Sequence, residues 1–87
     1  MTKLNVQRHE KTKSEDGISH LILFSVHEED LDVTEDVYEL GAYVRVSYKT
    51  PTREIDIEGV VKGFEFALDH ADPYAECVLM LQEEDNV

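Results

Sequence analysis

The chain has 87 residues, 20 acidic against eight basic, for a formal net charge of −12, and this length supports one domain with a modest core and a net stability of roughly 4–13 kcal/mol. A body this negative repels nucleic acid and anionic membranes and attracts basic partners, and no segment approaches the length of an apolar membrane span. Cys77 is the only cysteine, which excludes an intramolecular disulfide and fits a reducing compartment.

The charge is uneven along the chain. Residues 1–14 hold Lys3, Arg8, Lys11 and Lys13 against Glu10, whereas residues 15–87 hold nineteen acids against Arg45, Lys49, Arg53 and Lys62. The start carries no apolar run of signal-peptide length, so a cytoplasmic location is expected. Residues 1–2 and 83–87 are expected to be loose ends of a single domain over 1–87. Disorder does not fit the body of the chain, where 41% of residues are hydrophobic and alternate regularly.

Taken in order, the first segment reads as a strand over about 3–10, ended by the polar run Lys11–Gly17. The second, about 18–27, is apolar on both sides, as in a central or doubly covered strand. If the first hairpin turns near Ser14, His9 and His20 come nearly opposite each other. Thr34–Gly41 reads as a short helix over 34–40, with Thr34 as N-cap, acids in the first turn and Gly41 at the C′ position.

Two strands over 42–48 and 53–68 flank the turn at Lys49–Thr52. Pairing Tyr48 with Arg53 sets Val46 opposite Ile55, Val44 opposite Ile57 and Ala42 opposite Gly59 on one face. The other face then carries Tyr43, Arg45 and Ser47 opposite Glu58, Asp56 and Glu54. Further along, Ile55, Ile57 and Val61 share one parity, and Phe64, Phe66 and Leu68 the other. Gly63 sits at the switch, where a bulge or sharp bend costs least.

The last strand, about 75–82, follows the polar turn Asp69–Pro73. Phe64, Phe66 and Leu68 are expected to face Cys77, Leu79 and Leu81, leaving Val78 and Met80 for the amino-terminal hairpin to cover. The result is a mainly β (α+β) fold: a small, mostly antiparallel five-stranded barrel or rolled sheet with one short helix. The run Val44-x-Val46 followed by Glu58–Phe64 resembles the strands of small SH3-like and Sm-like barrels, over less than a third of the chain.

Chemistry-bearing patterns are sparse. The four histidines lack the short, fixed spacing of structural zinc sites, and Asp69-His70-Ala71-Asp72 lacks the ligand spacing and glycine of a calcium loop. That tetrapeptide reads more simply as a polar turn ended by Pro73. Cys77 alternates inward with Leu79 and Leu81, as a small core hydrophobe does. No nucleophile motif, phosphate-cradling loop or dinucleotide turn is present. The expectation is therefore a protein without enzymatic activity, metal or other cofactor.

The acids remain as candidates. Glu54, Asp56 and Glu58 project from one strand face about 6.6–6.8 Å apart, twice the strand rise. Glu28, Glu29 and Asp30, then Glu35, Asp36 and Glu39, form a second group. A solvated, solubilising surface is the ordinary explanation of such charge, and a salt-loving source is another. The functional alternative is a small acidic inhibitor or regulator that imitates nucleic-acid phosphates and docks on a basic protein surface, one that itself binds nucleic acid being the clearest case. Small acidic domains of this kind recur among phage and mobile-element products. Because one strand of carboxylates has about half the axial charge density of a DNA strand, mimicry needs several clusters on one side. Arg45 beside Asp56 also blunts the middle of the stripe. A further alternative is a structural or adaptor module that self-associates through a sheet edge or the Val78/Met80 face.

Overall fold

Residues 5–15, 17–69 and 71–83 are described by the computed structural model of the chain. Strand β1 (Asn5–Ser14) turns into β2 (Gly17–His27), a 3-10 turn (Glu28–Asp30) leads into α1 (Leu31–Val37), and β3 (Tyr43–Lys49), β4 (Glu54–Ala67) and β5 (Tyr74–Gln82) follow. All neighbours are antiparallel, in the order β1-β2-β5-β4-β3. The five strands curl into a half-barrel, so the rolled-sheet expectation holds and the sheet keeps two edges, β1 and β3.

β2, which reads as apolar on both sides, and β5, with Val78 and Met80 opposite its inward residues, lie side by side inside the sheet. Their inward residues Ile22, Phe24, Ala75, Cys77, Leu79 and Leu81 are all buried. On the outer face Leu21 pairs with Met80 and Leu23 with Val78. The amino-terminal hairpin does not fold over that face, contrary to expectation. Its polar alternation suits an edge, so β1 extends the sheet in plane beside β2, and Met80 stays 36% exposed.

The β3–β4 register differs from the predicted one by two residues: Tyr48 pairs with Ile55, Val46 with Ile57 and Val44 with Gly59. The cause is the turn. Thr50 closes it by donating its backbone N–H to the Arg53 carbonyl at 2.8 Å, while its hydroxyl oxygen accepts from the Arg53 N–H at 3.1 Å. Lys49 and Glu54 therefore become the last strand pair, and Arg53 belongs to the turn. A slip of two residues preserves strand parity, so every side chain keeps its predicted face.

The parity switch in β4 is a bulge: Val61 pairs with Leu81, Gly63 with Met80, and Lys62 is the extra residue. Beyond it, Phe64 faces Leu79 and Phe66 faces Cys77. Leu68 does not join them. It lies past the end of β4 and is 53% exposed.

The helix begins and ends earlier than predicted. Thr34 is not its N-cap but an interior residue whose hydroxyl donates to the Asp30 carbonyl at 2.8 Å. The 3-10 turn supplies the entry instead, with the His27 ring accepting from the Glu29 N–H, and Leu31 anchors the first turn in the core. Gly41 is not a C′ residue either. Its φ of +88° lets its N–H donate to the Val61 carbonyl, launching the chain into β3. Tyr38, just past the helix, plugs the half-barrel, its ring 6.0 Å from Phe24 and 5.9 Å from Phe64. No helix of the described residues is long and apolar enough to cross a membrane.

Candidate functional site

The predicted acids fall into two separate groups. Glu54, Asp56 and Glu58 line the outer face at the hairpin end of β4, where all three are exposed. Arg45 neutralises much of this stripe. It lies directly opposite Glu58 but reaches diagonally to Asp56, donating from Nε and Nη2 to both carboxylate oxygens. Ser47 donates to the same carboxylate at 3.1 Å, and the Tyr43 hydroxyl donates to Glu58 at 2.9 Å. The hydrogen bonds from Arg45 hold the Asp56 carboxyl below the usual carboxylate range, with Ser47 adding to the effect. Lys49 stands across from Glu54.

The second group behaves differently. Between residues 28 and 39 the chain places seven acids and no lysine or arginine. Glu28, Glu29, Asp30, Glu35, Asp36 and Glu39 are all exposed on the 3-10 turn, α1 and the loop that follows. Among the described residues none of them enters an ion pair with a base. The local fold keeps them together: Glu28 donates its N–H to the Pro73 carbonyl, tying the start of the segment to the turn before β5, and buried Leu31 and Tyr38 tie its body to the core.

This acidic segment flanks a groove of about 490 Å³. Tyr38 and Leu40 contribute from the loop after α1, Phe64 and Phe66 from β4, and Met80 from β5. Glu35, Glu39 and Glu65 also line it, with Lys62 as its one base. Several of its apolar groups are open to solvent: Leu40 is 73% exposed and Phe66 43%. The 54–58 stripe is not part of it, since roughly 26 Å of strand separates Asp56 from Phe64 at ~3.3 Å per residue. Sequence reading missed the groove. Leu40 read as a helix residue, Phe66 as core and Met80 as covered, and no pattern linked the three.

A third cluster joins β1, β2 and β3. His9 and His20 do come together, with His9 Nε2 2.8 Å from His20 Nδ1, although Lys11 rather than His9 is the direct partner of His20. One nitrogen of that pair donates and the other accepts, so the two share one proton. The other His9 nitrogen, Nδ1, lies 2.8 Å from the Tyr48 hydroxyl, linking edge strand β1 to edge strand β3. His20 is buried, and its Nε2 stands 3.2 Å from a Glu83 carboxylate oxygen outside hydrogen-bond geometry, an electrostatic contact when the ring is charged. Burial, with smaller contributions from His20, Lys11 and Arg53, pushes the His9 ring below its ordinary 6.5.

Among the described residues no three His, Cys, Asp or Glu side chains converge to hold a metal ion. Asp69 and Asp72 act as turn formers, accepting from the N–H groups of Ala71 and Tyr74; His70 lies outside the described residues. Cys77 is buried, and its thiol is pushed up by burial and by the nearby Glu35. Comparison with protein-family models, curated proteins and solved structures gives no match.

Proposed function

We propose that this chain is a non-enzymatic binding protein that docks on a basic surface of a partner protein and acts there as an inhibitor or regulator. The observation that supports this reading best is the segment 28–39, whose acids enter no ion pair with a base among the described residues, while Asp56 and Glu58 are engaged by Arg45. An unpaired carboxylate keeps its full field for an incoming cation, whereas one already held by a guanidinium contributes little further. A partner surface that otherwise holds nucleic acid is the case this charge suits, and the exposed apolar groove beside the acids adds an anchor that phosphate imitation alone lacks.

Charge reversal tests the reading. With decalysine as the probe, replacing Glu28, Asp30 and Glu35 by lysine should abolish binding, and replacing Glu54 and Glu58 should weaken it only slightly. Affinity of the unaltered protein should fall about tenfold or more between about 0.05 and about 0.5 M salt. Binding indifferent to salt, or equally lost with both sets, refutes it. A second reading, an adaptor that self-assembles through a sheet edge or the Val78/Met80 face, draws on the exposure of Met80 beside Leu21 and Leu23. It predicts a concentration-dependent dimer in sedimentation.

A further inference from the structure

The groove has a backbone side as well as a side-chain side. Strand β3 covers the outer edge of β4 only as far as Val60, and the loop before β3 adds two bonds at Val61, one from the Gly41 N–H and one to the Ala42 carbonyl. Among the described residues no strand pairs with that edge beyond this point, although β4 runs on to Ala67. Five consecutive β4 residues, Lys62 to Phe66, line the groove. Successive residues of a strand face opposite sides of the sheet, so a groove lined by every one of them runs along the edge. That edge is roughly 13 Å long, four strand steps, and an unpaired strand edge offers backbone donors and acceptors to another chain.

We infer that this edge takes an extended segment of a partner protein, added as a strand beside Lys62–Ala67 and carrying lysine or arginine alternating with apolar residues. This inference rests on the acidic-docking reading above and makes it specific. Alternation follows from the lining: Leu40, Phe66 and Met80 are exposed apolar contacts, and Glu35, Glu39 and Glu65 outnumber Lys62 three to one. Main-chain bonds then supply affinity and the alternate side chains supply selectivity, as in other cases of strand addition. Lys62 and the bulge shield only the near end of the edge, the usual protection against indiscriminate pairing.

The test is titration of the protein with an alternating lysine–valine hexapeptide, followed by amide chemical shifts. Three controls accompany it: the same peptide N-methylated at alternate residues, a glutamate–valine hexapeptide, and a Glu39→Lys/Glu65→Lys variant. The expected result is a shift of the Lys62–Ala67 amides by the basic peptide. N-methylation should weaken binding by about tenfold or more, as loss of two or three backbone hydrogen bonds implies. The variant should prefer the glutamate peptide. Shifts confined to residues 28–39 overturn strand addition while leaving the acidic-docking reading intact. Equal affinity of the N-methylated peptide overturns it as well, and a basic peptide that shifts nothing overturns both.

Discussion

Replacing Gly59 by alanine, with Gly63→Ala as its counterpart, tests the packing of the sheet where β4 crosses the end of β5. A Cβ on Gly59 would stand 2.6 Å from the Gln82 carbonyl oxygen, 2.9 Å from its carbon and 3.3 Å from the Glu83 nitrogen. Ordinary contact begins at 3.4 Å, so two backbones must part by about 0.8 Å, the difference between 3.4 and 2.6. Gln82 is also paired with Ser19, so the shift is felt in β2. Overpacking of this kind costs ~1–3 kcal/mol, and the stiffer unfolded chain offsets ~0.4–1 of it. At the midpoints of the two ranges the net loss is about 1.3 kcal/mol, which lowers the melting temperature of a domain this size by roughly 5–10 °C. At Gly63 the obstacle is the terminal methyl of Met80, which can swing aside at little cost. Gly63→Ala should therefore stay within about 1 kcal/mol of the parent, and closer still with Met80→Ala. Urea unfolding followed by circular dichroism, with equal slopes, reads the difference. A Gly63→Ala loss as large as that of Gly59→Ala would falsify the reasoning.

Two further outcomes follow from the ionisable groups. Because the folded His9 ring lies below 6.5, the unfolded chain binds a proton more readily; stability is full above about pH 6.5 and declines as pH falls from there through the folded value. Urea midpoints across that window should fall in the parent and fall less in His9→Gln, and parallel curves count against the assignment. In Arg45→Met, Asp56 should titrate higher, back towards the usual carboxylate range; an unchanged carboxyl shift in NMR titration sinks the pairing described here.

Much of the sheet was legible because alternation is a local signal. Val44 and Val46, then Ile55 and Ile57, assign a face without knowledge of the partner strand. Register is not local in that sense. Thr50 moved it by two residues through one side-chain oxygen, a choice the pattern cannot register because parity is unchanged. Arg45 still reached Asp56, since a long side chain spans the diagonal as readily as the direct pair. Gly63 marked the bulge because two hydrophobic phases met there. The helix start went unread because Leu31, its anchor, is a single apolar residue among acids, and a Thr before acidic residues imitates a cap. The groove was beyond the sequence for a different reason: Leu40, Phe66 and Met80 come from three separate segments, and period tells only inward from outward.

The contact between His9 and Tyr48 has a mechanical consequence. A closed barrel must break backbone ladders to open, but here no ladder joins β1 to β3 among the described residues, and this side-chain hydrogen bond spans the seam. A hydrogen bond of this type contributes only ~1 kcal/mol net, and the packing of Val6, Val44 and Tyr48 against the core also holds the two edge strands in place. The protein thus resembles a split ring with a catch: β2, β5 and β4 form the continuous back, and no ladder among the described residues bridges the gap between β1 and β3. Protons are the natural key to such a catch, because the nitrogens facing each other on His9 and His20 can share one and cannot each hold one.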